Sequence, residues 1–162
     1  PVVVVREDNH VTESTKYGPV VVGVDGSEVS QKATAYAFRE AQARGAALIA
    51  VHTWMDMQVQ ASLAGLSAAQ SEWADIEKEQ SELLAENLKE PREEYPDVEV
   101  KQLIARDRPV SALTEAAEGA QLLVVGSHGR GGFKGMLLGS TSRALLQSAP
   151  CPMMVVRPDE DN

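Results

Sequence analysis

Short runs of nearly continuous apolar residues, spaced by longer stretches of helical period, confine this chain to a narrow set of folds. The clearest runs are Val20-Val-Val-Gly-Val24, Ala46 to Val51, Gln121-Leu-Leu-Val-Val125 and Met153 to Val156. A strand that is apolar at every position, rather than every second one, is buried on both faces. Such strands belong to parallel sheets with helices on either side. A further stretch, Val98 to Ala105, alternates at first and then turns apolar.

The segments between these runs read as helices. Ser27 is a good N-cap, and Val29, Ala33, Ala37 and Ala41 then fall on one face before Gly45 closes the helix. Met55 to about Leu66 reads as a loop. A second helix starts at Ser67 or Ser71; Trp73, Ile76, Leu83, Leu84 and Leu88 trace its face, and Pro91 marks its expected end. Pro109 opens a third helix, with Val110, Leu113 and Ala117 aligned and Gly119 closing it. Leu138 to Ser148 forms a fourth, with Leu138, Thr141 and Leu145 on one side. Strands and helices alternate, so the expected fold is α/β: a doubly wound, five-stranded parallel sheet with helices on both faces and right-handed crossovers.

Composition narrows the class further. A length of 162 residues suits one domain, and a chain of about 150 residues buries roughly 68–70% of its unfolded surface. Aromatic residues make up only 4%, so Val, Leu, Ile and Ala must build the core. Fifteen basic against 24 acidic residues give a net charge of −9, which argues against nucleic acid or an anionic membrane as partner. Cys151 is the one cysteine and can form no intrachain disulfide, which suits a reducing, cytoplasmic setting. No run approaches the roughly 18 apolar residues of a membrane span, and the apolar Val2–Val5 run lacks the basic lead of a secretory signal. Residues 72–94 hold nine acidic and three basic side chains, two-thirds of the net charge. They read as a solvated helix face, with an acidic docking surface as the alternative.

The expected division is an N-terminal extension over 1–18, a domain over 19–157 and an acidic tail over 158–162. One echo crosses it. Pro1-Val-Val-Val-Val-Arg-Glu-Asp8 matches Pro152-Met-Met-Val-Val-Arg-Pro-Asp159 at five of eight positions, 151 residues apart. Either residues 1–8 end a preceding copy of the domain, or two valine-rich strands agree by chance.

In open parallel sheets ligands bind beyond the carboxyl ends of the strands, where the winding reverses. Two strand ends carry suitable chemistry: Asp25-Gly26-Ser27 after the first, and Gly126-Ser-His-Gly-Arg-Gly-Gly132 after the fourth. Glycines let backbone N–H groups approach an anion. The helix that follows Gly139-Ser140-Thr141 adds free N–H groups and the positive end of its dipole. Arg130 and Lys134 are the nearby cations. On the glycines alone, a loop that merely turns tightly, with Ser140 as a cap, stays open. A Walker loop fails, because Gly132 stands where lysine is required. The dinucleotide pattern fails as well, because Lys134 stands where its third glycine should be.

What does fit is Gly126-x2-Gly129-x9-Gly139-Ser140. Together with Val20-Val-Val-Gly-Val-Asp-Gly-Ser27, Val51-His52, Leu122-Leu-Val-Val-Gly-Ser-His-Gly129, Leu138-Gly-Ser140 and Ala149-Pro-Cys-Pro-Met-Met-Val-Val156, it resembles the universal stress protein family over residues 19–157. The intact glycine pattern resembles the members that bind ATP. The resemblance implies a strand order of 3-2-1-4-5. It implies ATP, with magnesium, as ligand. It places Gly23 and Asp25 beside the nucleotide, Asp25 toward the ribose or a phosphate-bound metal, and the backbone near Thr53 at the adenine. Gly126, Ser127, His128, Gly129, Arg130, Gly131 and Gly132 would wrap the ribose and phosphates; Gly139, Ser140 and Thr141 would hold the outer phosphates. It also implies a homodimer through Met153 to Val156, a nucleotide-dependent stress-response role, and at most slow hydrolysis. No catalytic base and nucleophile pair stands near the loop. Arg106-Asp-Arg-Pro109 departs from the family pattern, so Arg106 and Arg108 receive no site role. His52 reads as a hydrogen-bonded core residue rather than a ligand, and Cys151 as a small buried side chain.

Overall fold

The computed structural model describes residues 1–6, 17–54, 70–106, 108–129 and 137–158. Among these residues six strands, β1 (Val2–Val4), β2 (Val20–Gly23), β3 (Leu48–Thr53), β4 (Val100–Ala105), β5 (Leu122–Gly126) and β6 (Met153–Val156), form one sheet. Four described helices, α1 (Glu28–Arg44), α2 (Gln70–Glu94), α3 (Pro109–Ala116) and α4 (Ser140–Ser148), lie between the last five strands.

The sheet order is β1-β6-β5-β2-β3-β4. This corrects the expected five-stranded sheet of order 3-2-1-4-5. The sixth strand is β1, cut from the stretch expected to be an extension, and it adds to the edge of β6 in antiparallel sense. All other pairings are parallel: β2 lies between β3 and β5, β4 flanks β3, and β6 flanks β5.

The helices cover both faces, and two apolar layers result. Val20, Val22, Val24, Val124, Met154 and Val156 pack with Phe38, Leu84 and Leu88 of α1 and α2. Val21, Val51, Leu123, Val125, Met153 and Val155 pack with Leu113 and Leu145 of α3 and α4. Alternate residues of each strand therefore enter opposite layers, which explains why the strands are apolar throughout. On α1 the face Val29, Ala33, Ala37 and Ala41 is buried, as its spacing predicts, and Ser27 caps the helix by accepting from Ser30 N–H.

Two details of α2 differ from expectation. Pro91 lies inside the helix, not at its end: Tyr95 N–H still reaches Pro91 O at 2.9 Å, so the chain completes one more turn past the ring. Leu83 points outward at 41% exposure, while Leu84 and Leu88, four apart, carry the buried seam.

Candidate functional site

Three neighbouring parallel strands release the chain at the same edge of the sheet. Thr53 ends β3 opposite Ala105, Gly23 ends β2 opposite Val51, and Gly126 ends β5 opposite Val156. After β2 the chain winds outward through β3 and β4, then returns past β2 to β5 and β6. The crevice between the ends of β2 and β5 is thus the point where the winding reverses.

Asp25 sits just past β2 and is fixed by the turn it opens. Its Oδ1 accepts from Ser27 N–H at 2.8 Å and from Ser27 Oγ–H at 2.6 Å, while its own N–H donates to Ser30 Oγ at 3.0 Å. Ser27 Oγ in turn accepts from Ser30 N–H. The second carboxylate oxygen, Oδ2, faces Gly129 so closely that a methyl group there would lie 2.4 Å from it. Two segments a hundred residues apart therefore meet, and the absence of a side chain at Gly129 is what permits it.

The turn after β5 is held from below. Buried Ser127 donates its N–H to Val156 O at 2.7 Å, and its carbonyl accepts from Gly139 N–H at 2.7 Å and from Ser142 Oγ–H at 2.8 Å. Ser142 Oγ also lies 3.1 Å from Gly126 O. Ser127 Oγ and His128 Nδ1 are in hydrogen-bond contact at 3.0 Å. Gly139 occupies the N-cap of α4 and offers no capping side chain; Ser140 is exposed and Thr141 half-buried in the first turn. That leaves the helix's partial positive end directed to the same region as the 126–129 turn.

Of the sequence-derived site residues, Asp25, Ser127, His128, Gly129 and Gly139 converge in this way. Gly23 faces inward: a Cβ there would meet Leu113 at 3.3 Å, so its smallness serves packing under the site. Thr53 lies on the β3 side of β2, across from the β5 turn. Arg130, Gly131 and Gly132 lie outside the described residues. Ser142 was not foreseen, although a serine between Leu138 and Leu145 on an apolar stripe was a usable signal. Buried Ser30 escaped notice in the same way. Trp54 is buried beside this end of β3, and the Arg106 guanidinium stacks over its ring at 5.6 Å.

His52 is a tether, as its strand-end position suggested. Its Nδ1–H donates to Val24 O at 2.7 Å, and Nε2 lies 2.9 Å from the Gln80 side-chain amide, tying α2 to the sheet. Among the described residues no group of three or more His, Cys, Asp or Glu is placed to hold a metal ion, and no helix is long and apolar enough to cross a membrane.

Cys151 is buried, and loss of solvent pushes its thiol up from 9.0 to about 11, against a small opposing effect of a backbone hydrogen bond from Leu123. Because the folded value is the higher one, the stability this adds is full below about pH 9 and lost as the pH climbs towards 11. The native thiol should resist Ellman's reagent at pH 8 over an hour and react within minutes in denaturant. Rapid labelling of the folded protein would show that this strand start opens.

A parallel, doubly wound domain with a polar crevice at its switch point defines the broad class. The universal stress protein family model matches residues 16–157, and the chain belongs to this family. It is 47% identical over 157 residues to a universal stress protein of Mycobacterium bovis, covering 97% of this chain and 51% of that one. A universal stress protein of Mycolicibacterium smegmatis is 46% identical over 158 residues, with 98% and 51% covered. The chain thus spans about half the length of the curated relatives it matches. Among solved structures, hypothetical protein MJ0577 superposes with a TM-score of 0.68 at 19% identity, over 90% of this chain and 99% of that one. A universal stress protein in complex with cAMP superposes at 0.60 with 26% identity, over 87% and 97%. One from Archaeoglobus fulgidus in complex with dAMP does so at 0.56 with 21% identity, over 86% and 98%.

Proposed function

We propose that this domain binds ATP, with magnesium, in the crevice between the ends of β2 and β5, and that it serves as a nucleotide-dependent stress-response regulator in the cytoplasm. The observation that carries the reading is the meeting of Asp25 with Gly129. It sets a carboxylate beside a glycine turn and the bare N-terminus of α4, which together suit a metal-bound polyphosphate. In this reading the N–H groups near Gly129 and those of Ser140 and Thr141, with the Ser140 and Thr141 hydroxyls, donate to phosphate oxygens. Asp25 reaches the ribose or the bound magnesium, and the backbone at Thr53 borders the base. Adenine nucleotides in two structural relatives support the ligand class. The domain works as a regulator by occupancy, paired with a second domain across the β6 edge, with hydrolysis at most slow.

Two measurements test this. Freshly purified protein, denatured and analysed by mass spectrometry, should release ATP. The stripped protein should then bind ATP calorimetrically, more weakly by about tenfold when magnesium is removed with EDTA. No released nucleotide and no heat would mean that the glycine turn serves the fold alone.

A further inference from the structure

Among the described residues six polar side chains are buried in an otherwise apolar interior: Ser30, Thr34, His52, Gln80, Ser127 and Ser142. A buried polar group costs free energy unless it is bonded, so the place where such groups gather calls for a cause. Ser127 and Ser142 support the turn after β5. The bonds of the other four lead to the turn after β2. Thr34 donates to Ser30 O, Ser30 Oγ meets Asp25, and Gln80 meets His52, whose ring reaches Val24.

Two of these side chains grip a single peptide unit. The carbonyl of Val24 and the N–H of Asp25 lie in one plane. His52 Nδ1 is 2.7 Å from the Val24 oxygen, and the Asp25 N–H donates to Ser30 Oγ at 3.0 Å. One grip comes from β3 and the other from α1, and they act on opposite sides of the plane. The Val24 N–H, which donates to Val51 O at 2.8 Å, fixes the preceding unit. The direction in which the Asp25 side chain leaves the backbone is thereby set, and its Oδ2 faces Gly129.

The protons of the ring follow from its partners. A carbonyl oxygen only accepts, so Nδ1 carries a proton in either charge state of His52. Nε2 lies 2.9 Å from Gln80 Oε1 on α2. A charged ring donates to that oxygen. A neutral ring instead accepts from the Gln80 amide NH2, after a half-turn that exchanges two groups of nearly equal size. Gln80 therefore satisfies the ring in both states and keeps it aimed at Val24. His52 is 6% exposed and Gln80 2%, so water competes little for either bond.

We propose that His52 is a positioning residue of the crevice: with Ser30 it clamps the Val24–Asp25 peptide plane and so aims the Asp25 carboxylate at the bound nucleotide, and Gln80 orients the ring for this task. The role in binding rests on the reading of the crevice as a nucleotide site; the clamp on the peptide plane does not.

Two variants separate the clamp from mere packing. His52→Asn places an N–H as many bonds from the backbone as Nδ1, and so keeps the donor to Val24 O. His52→Gln places one as far out as Nε2, and loses that donor. Both remove the ring. In nucleotide-free protein, hydrogen exchange at the Asp25 and Ser27 amides should be about fivefold faster in His52→Gln and within about twofold of wild type in His52→Asn, with the Val21 and Val22 amides as the reference for global opening. ATP should bind about fivefold more weakly to His52→Gln and almost normally to His52→Asn. Equal exchange in the two variants overturns the clamp. Unequal exchange with equal ATP affinity overturns the role in binding. A wild-type protein that binds no ATP ends the nucleotide reading, and the exchange rates still decide the clamp. Where neither variant folds, nitrogen NMR of the unaltered ring decides: a proton on Nδ1 is expected, and a neutral ring protonated on Nε2 overturns the proposal.

Discussion

Gly129→Ala should raise the dissociation constant for ATP at least tenfold, about 1.4 kcal/mol, without unfolding the domain. The new methyl group would fall 2.4 Å from Asp25 Oδ2, far inside contact distance. The carboxylate cannot simply swing away, because Oδ1 is held by both the N–H and the hydroxyl of Ser27. Either the 127–129 turn rises or Asp25 breaks from Ser27, and each separates the two groups that define the crevice. Gly129 is exposed and makes no core contact, so the melting temperature should move by no more than about 2 °C. Calorimetric titration and thermal unfolding of the same sample separate the effects. Unchanged affinity would place the nucleotide elsewhere and remove the main support for the proposed site.

Gly18→Ala should have the opposite profile, a large loss of stability that begins far from the crevice. A methyl group on Gly18 would lie 1.9 Å from Gly119 O, 3.0 Å from its carbonyl carbon and 3.2 Å from Ala120 Cα. All three are backbone atoms, so no side chain can rotate aside. The neighbouring bonds hold the two segments together: Gln121 N–H donates to Pro19 O at 2.9 Å, and the Gln121 amide donates to Gly18 O at 2.7 Å. Relieving the overlap means parting the starts of β2 and β5, the two central strands. A cost of about 3–4 kcal/mol is expected, or roughly 10 °C in melting temperature for a domain of this size. A fall of under about 2 °C would show that these turns slide apart freely.

The residues that make strands legible also explain what sequence alone could not show. Val20 to Val24 and Leu122 to Val125 are apolar at every position because alternate side chains enter two different helix layers, and that pattern needs no partner to be read. Val2 to Val4 has the same composition, but its antiparallel place beside Met153 to Val156 depends on a contact 151 residues away. Only the echo hinted at it. Pro91 misled because proline removes one helical hydrogen bond without forbidding a further turn. Leu83 misled because adjacent leucines cannot both face inward, and spacing alone does not say which does. At the candidate site, the approach of Asp25 to Gly129 was legible from chemistry. Ser142 and the Val156 carbonyl were not, since one looked like part of an apolar stripe and the other is backbone.

The hydrogen bond from Ser127 N–H to Val156 O gives the turn after β5 and the edge strand a common support. Val156 lies two residues from Met154, the residue that faces Val3. A molecule gripped at 127–129 and a strand zipped onto β6 therefore lean on the same beam. Whatever free energy passes along it acts equally in both directions. If filling the crevice strengthens the hold of the edge by some factor, gaining a neighbour at the edge strengthens the hold of the crevice by that same factor. The domain would then register company and occupancy as one quantity.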